Sequence, residues 1–191
     1  GIRGTEVAMF DYANWAEKLW GATSYIVGGK NHKFTHIEGI KQFSDRFGGR
    51  VYLYEDFKDA IRYANSANPD LCYLIKGGKN DGKIFPNFRN AVHSVFAHCE
   101  PHGDIYAYVS QWLANKASEG KFPCVPHMID VADTKEDFRE TLAIPHHATV
   151  FGRIGGQDTM GLLSNDYRYL KKFKGFLDKY TRAYFIFVNS P

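Results

Sequence analysis

The residues best equipped for chemistry sit at the ends of short apolar runs. In "AVHSVFAHCEPHG", His93 follows an apolar stretch, and His98, Cys99, Glu100 and His102 come close behind it. Such a cluster suggests zinc, but zinc sites of this kind carry a second, regularly spaced ligand pair elsewhere, and this sequence has none. Two readings of His93 stay open: an imidazole projecting from a strand end into a cleft, where it donates a hydrogen bond to substrate, or one satisfied within the fold. In "GRIGGQDT", Arg153 lies where a strand gives way to a glycine turn. Open α/β sheets deliver ligand contacts at that end of a strand, and a guanidinium there suits a diphosphate through paired hydrogen bonds. An ordinary surface arginine in a βα turn is the alternative.

The opening "GIRGTEVAMF" sets Gly1, Arg3 and Gly4 ahead of a helical pattern. Glycine lets backbone approach an anion and a helix N-terminus is electropositive, so the N–H groups around Gly4 and Thr5 suit a phosphate or carboxylate. A surface turn ahead of a helix is the competing reading. No Gly-Lys-Ser/Thr follows, which excludes a Walker A loop. Lys76, leaving a strand in "LIKGG", is either a cleft lysine or a solvated one, and His146 and His147 fall in a loop.

These residues need elements to place them. Apolar residues recur at helical spacing from Thr5 to Trp20, with Thr5 as N-cap and Gly21 just past the end. Strands are expected at Thr23–Val27, Arg50–Tyr54, Leu71–Ile75, Ala91–Phe96 and up to Val109, with helices between them and Ser110 capping another from Gln111. "DTKEDFRETLAIP" reads as a helix, "ATVFGRIGG" as a strand, "NDYRYLKKFKGFLDKYTR" as an amphipathic helix and "AYFIFVNSP" as a strand. Such alternation implies crossover connections and a mostly parallel, Rossmann-like α/β sheet with helices on both faces. The closing strand, helix and strand read as the start of a second α/β unit, giving domains at 1–145 and 146–191.

Composition narrows the function classes. Across 191 residues, 44% are hydrophobic and 16% aromatic, enough for a core. A formal net charge of +3 without runs of Lys or Arg is unlike the concentrated basic face of a nucleic-acid binder. No apolar run approaches the roughly 18 residues of a membrane span, which leaves peripheral membrane contact open. Three widely spaced cysteines, Cys72, Cys99 and Cys124, fit a reduced, cytoplasmic protein.

In order and spacing, these motifs resemble the GT-B glycosyltransferases, specifically the retaining, nucleotide-sugar-dependent group called family 4. "GIRGTEVAMFDYA" resembles that group's Gly-Gly-x-Glu loop and first helix, and "YLIKGG" and "AVHSVF" resemble successive central strands, the second bearing the family's active-site histidine. "YAYVSQWLANK" is similar to its strand, serine and helix, and "VPHMIDVADTKEDFRETLAIPHHATVFGRIGG" resembles its interdomain crossover. The resemblance implies a fragment: an acceptor-side domain lacking its first strand, plus an incomplete donor-binding domain. It implies that backbone near Gly4 and Thr5 meets the donor diphosphate, that His93 lies near the transferred sugar and that Arg153 neutralises the leaving diphosphate. Arg3, Lys76 and His98 are further cleft candidates. It implies a nucleotide sugar as donor, an unidentified sugar or glycan acceptor, no cofactor and no metal, with no Asp-x-Asp element at a suitable strand end. The family's lysine after the arginine is replaced here by Gln157, Asp158 and Thr159. On this reading the 191 residues alone lack transferase activity. Two rivals remain, a Rossmann-type dinucleotide-dependent oxidoreductase and a non-catalytic nucleotide- or sugar-binding module.

Overall fold

The computed structural model describes residues 4–30, 37–128, 134–155 and 165–189; for 153–155, 165–170 and 187–189 it describes the backbone alone. Arg3 and the Gln157–Thr159 segment lie outside the described residues. The chain divides into two compact units, one reaching Met128 and the other starting from Thr134, earlier in the sequence than the expected boundary at 145. Each is α/β, with parallel strands throughout.

The N-terminal unit runs α1 (Gly4–Trp20), β1 (Ile26–Gly29), α2 (Ile37–Phe47), β2 (Val51–Tyr54), α3 (Phe57–Ala67), β3 (Cys72–Lys76), β4 (Asn90–Ser94), β5 (Ile105–Tyr108) and α4 (Gln111–Ser118). Strands β1 and β2 form one parallel pair, and β3, β4 and β5 form a three-stranded parallel sheet in that order. A parallel bridge from Tyr108 to Cys124 adds a short further edge beside β5. Successive residues of a strand point to opposite faces, and the core divides accordingly. On one face Ile26 meets Phe43 and Phe47 of α2, with Met9, Phe10 and Ala13 of α1 against them. On the other, Val27 shares a cluster with Ala60 and Ala64 of α3 and with Cys72 and Leu74 of β3. Val92, Tyr106 and Tyr108 meet Leu113 and Ala114 of α4.

Local chemistry sets the ends of these elements. Asp56 caps α3 by accepting from Lys58 N–H, while Asp59 accepts from Asp56 N–H, and Asn68 closes the helix at φ 49°. Ser110 accepts from Leu113 N–H at the start of α4. Gly21, at φ 64°, lets its N–H reach Glu17 O and stop α1. Helix α1 starts at Gly4, so Thr5 is a helical residue and not the N-cap. Strand β1 starts later than expected and takes in Gly28 and Gly29, while β4 stops at Ser94, because Ser94 Oγ donates to Phe96 O and turns the chain.

Between α1 and β2 lies a charged knot. The Glu17 carboxylate, 14% exposed, accepts from Ser24 N–H at 2.9 Å and pairs with Arg46 at 2.9 Å and with Arg50. Burial pushes its pKa up, but the Ser24 N–H and the Arg50 and Arg46 guanidiniums outweigh that and hold it below the ordinary carboxylate range. A depressed carboxylate stabilises the fold above its unfolded pKa of about 4.3 and loses that contribution as pH falls through the folded value. Glu17→Gln should therefore cost roughly 1–3 kcal/mol at neutral pH and almost nothing in strong acid, read from urea unfolding at both pH values.

The C-terminal unit pairs β6 (Thr149–Gly155) with β7 (Ala183–Asn189) in parallel through α5 (Asn165–Leu177). Phe151 of β6 and Phe185 of β7 pack on Phe173 of α5, with ring centroids 5.0 and 4.8 Å apart. The expected helix at "DTKEDFRETLAIP" is absent among the described residues, which form a run of turns. Asp137 accepts from Arg139 N–H and ties the chain locally, Ala143 sits at φ 53°, and Phe138 and Leu142 stay exposed. An Asp that bonds a nearby backbone N–H favours turns over helix, and of the apolar residues here only Ile144 is buried.

Candidate functional site

The strongest concentration of unspent polar chemistry lies at β4. Burial accompanies His93 in the sequence run Val92, His93, Ser94, and the imidazole is 2% exposed. Parallel pairing sets His93 beside Ile75 of β3 and Ala107 of β5, near the carboxyl ends of all three strands. Its Nδ1 is bonded to the hydroxyl of Tyr73, from β3. Tyr12, on α1, lies over both, with its ring 5.1 Å from Tyr73 and 6.0 Å from His93. The fourth member, His127, follows the Cys124 bridge and stands edge-on to His93 at 5.2 Å.

Counting protons defines what this group offers. The Tyr12 hydroxyl donates to Pro126 O at 2.7 Å, so its proton is committed. Burial, reinforced by the nearby Tyr12 hydroxyl, drives the Tyr73 pKa upward, so that phenol stays protonated. Its hydroxyl and His93 Nδ1 share one hydrogen bond, whose donor is set by the tautomer of the imidazole. The backbone carbonyls of Val125 and Tyr108 approach the ring and favour its protonated form, against the larger effect of burial. His93 Nε2 is buried without a well-formed hydrogen bond, and so is His127 Nε2. An unbonded buried polar atom costs about 1–3 kcal/mol, which makes two together worth explaining.

Both imidazoles are held neutral. Burial, then the neighbouring His127, lowers the His93 pKa, and burial lowers that of His127. A depressed histidine supports the fold above its unfolded pKa of about 6.5 and withdraws that support as pH falls toward the folded value. Stability should therefore drop between neutral pH and about pH 5, and His127→Gln should flatten the drop, as followed by urea midpoints across that range.

A second feature opens nearby. Ile75, Lys76, Gly77, Lys79, Asp81, Phe96 and His98 line a depression of about 550 Å³ at the carboxyl end of β3. Within it Lys76 is committed: its ammonium contacts Asp81, Lys83 O at 2.6 Å and His102 Nε2 at 3.3 Å, and the side chain is only 9% exposed. Lysine 76 therefore fastens the loop after β3 and is not a solvated loop lysine. The Asp81 carboxylate resists the upward push of burial because Lys76 and the Lys83 N–H hold its pKa low. His98 is exposed at the rim, where its carbonyl accepts from Tyr108 OH at 2.8 Å.

His93, Lys76 and His98 thus share one end of the sheet. Gly4 and Thr5 form the exposed first turn of α1, and Tyr12, two turns further along, is that helix's contact with His93. Arg153 lies within β6 of the C-terminal unit, paired in register with Phe187 two residues before the strand ends. The cysteines are free, and no group of three or more His, Cys, Asp or Glu able to hold a metal occurs among the described residues. No described helix is long and apolar enough to cross a membrane. Sequence reasoning missed Tyr12, Tyr73 and His127. Tyr12 and Tyr73 belong to no motif, and His127 lies in a proline-flanked stretch with no periodic signal.

Comparison with family models, with curated proteins and with solved structures returns no match for this chain.

Proposed function

We propose that this chain is the acceptor-side part, and the beginning of the donor-binding part, of a GT-B glycosyltransferase acting on a nucleotide sugar with retention of configuration. The observation that carries the reading is the buried Nε2 of His93, without a well-formed hydrogen bond, near the carboxyl end of a parallel strand, where open α/β sheets place their ligands. The order of motifs along the sequence supports it. Cleaving a sugar–phosphate bond builds negative charge on the departing diphosphate and positive character at the sugar carbon, so fixed N–H groups and cations must face the phosphate beforehand. In this reading the N–H groups of Gly4 and Thr5 at the start of α1 face the diphosphate, Arg153 neutralises it, and His93 donates to a hydroxyl of the transferred sugar. The edge-on ring of His127 swings aside to admit that hydroxyl. The acceptor is a sugar or glycan, and the protein works in the cytoplasm.

The test is a panel of nucleotide sugars presented to the protein with its gene's flanking sequence included, first by thermal shift and then by turnover. A shift and transfer with one nucleotide sugar are expected. A shift with a nicotinamide dinucleotide plus hydride transfer replaces the reading with an oxidoreductase, and binding without turnover of any donor replaces it with a sensing module.

A further inference from the structure

Residues 123–128 lead out of the N-terminal unit and are lightly fastened to it. Pro123 and Pro126 have no N–H to donate, and Pro123, Val125 and Pro126 are exposed, so little apolar surface anchors the stretch. A bridge to β5 holds its start: Tyr108 N–H donates to Pro123 O at 2.9 Å and Val125 N–H to Tyr108 O at 2.8 Å. Further on, the Tyr12 hydroxyl on Pro126 O supplies a tie to α1. Inward the stretch sends the His127 ring, edge-on to His93 at 5.2 Å and to Tyr12 at 6.1 Å.

A positive charge fits this contact badly. Protonating a neutral imidazole gives it a second N–H, and the Nε2 of each ring is buried without a well-formed hydrogen bond. Facing the pair are the phenols of Tyr12 from α1 and Tyr73 from β3 and the carbonyls of Tyr108 from β5 and of Val125, with the Cys124 thiol near Tyr12. No carboxylate of the described residues acts on either ring, and the carbonyls favour a charge on His93 alone. The two rings differ in their freedom to respond. His93 is paired through β4 to β3 on one side and to β5 on the other, and it cannot leave. His127, partly exposed, reaches water by displacing a stretch with few fastenings, and such segments open locally at the lowest cost.

We propose that residues 123–128 are an acid-released latch over His93: protonation of His127 draws its ring into water, parts the bridge to Tyr108 and uncovers His93. The His93 imidazole is 2% exposed, and this stretch sets the His127 ring and the Val125 carbonyl against it, so departure of the stretch opens the site. Burial holds the His127 pKa below its value in an opened stretch, about 6.5, so opening takes up a proton and is favoured as pH falls through that value. The latch governs access to His93 whatever ligand enters, and it does not rest on the transferase reading.

Amide exchange on the 191-residue chain reads the latch without donor or acceptor. The protection factor of Val125, whose N–H closes the bridge, is expected to fall about five- to tenfold between about pH 7.5 and pH 5.5, the response to one proton taken up on opening. Cys72, whose N–H bonds Arg89 O within the sheet, should stay better protected than Val125 throughout, which makes the opening local. In His127→Gln the fall at Val125 should shrink to less than about twofold. Tyr12→Phe, which removes the tie to Pro126 O and keeps the ring, should lower Val125 protection at both pH values while preserving their ratio. Flat Val125 protection in the unsubstituted chain overturns the proposal, as does an undiminished fall in His127→Gln or unchanged protection in Tyr12→Phe. Equal protection at Val125 and Cys72 also overturns it, by assigning the exchange to unfolding of the whole unit.

Discussion

Gly78→Ala is expected to lower the unfolding free energy of the N-terminal unit by roughly 2–5 kcal/mol, at its upper end close to the whole stability of a marginal domain. Gly78 follows β3 at φ 90°, a conformation that costs an L residue about 1–2 kcal/mol. A methyl there would also collide with Ser94 Oγ and stand 2.7 Å from His98 O and 3.1 Å from Tyr106 OH. None of these can yield cheaply: Ser94 is fully buried and bonded to Phe96 O, His98 O accepts the Tyr108 hydroxyl, and Tyr106 donates to Gly78 O itself. Overpacking of this kind adds about 1–3 kcal/mol. Gly82→Ala in the same loop supplies the control. Gly82 has φ 70° but nothing within 4 Å of a built Cβ, so only the backbone strain remains and a loss of about 1 kcal/mol is expected. Equal losses for the two substitutions, in urea unfolding followed by circular dichroism, would show that contact with Ser94 and His98 is unimportant.

That loop illustrates which parts of the fold were legible beforehand. Strand positions could be read because "CYLIK", "NAVHS" and "IYAY" are short apolar runs between breakers, and alternation with helical periods implied parallel pairing. Ser110 at the start of α4 was legible for the same local reason, a hydroxyl just ahead of a helical pattern. Asn90 shows where local reading stops. Its buried amide accepts from Phe85 N–H and donates to Phe85 O and Phe88 O, closing the loop before β4, and no spacing rule announces it. The "DTKEDFRETLAIP" segment failed in the opposite direction: it reads as a helix, but Asp137 spends its carboxylate on Arg139 N–H at the entry to a turn. At the site, His93 stood out by type and position, whereas its partners came from α1, β3 and the stretch after the Cys124 bridge. Proximity across such sequence distances is set by packing, so Tyr12, Tyr73 and His127 could only be found in three dimensions.

If the transferase reading holds, His93→Ala in the protein with its flanking sequence should reduce transfer by tenfold or more, about 1.4 kcal/mol or more of transition-state stabilisation. Tyr73→Phe tells a donor role from a structural one. It removes the hydroxyl bonded to Nδ1, so the imidazole loses the partner that fixes its orientation. The ring stays neutral in a buried setting and the Tyr12 ring 5.1 Å away keeps its packing partner, but Nδ1 is left unbonded, so a loss of about 1–3 kcal/mol is expected. A fall in kcat measured well below the Tm of each variant, for Tyr73→Phe as well as His93→Ala, is the signature of an imidazole held in place for the reaction. Arg153→Ala should match the loss through the other end of the chemistry, since the leaving diphosphate forfeits a cation that matters most when its charge has developed. Unchanged transfer in His93→Ala and Arg153→Ala alike would break the site assignment. Lost Tm in Tyr73→Phe with kcat intact would instead make the buried group a packing device.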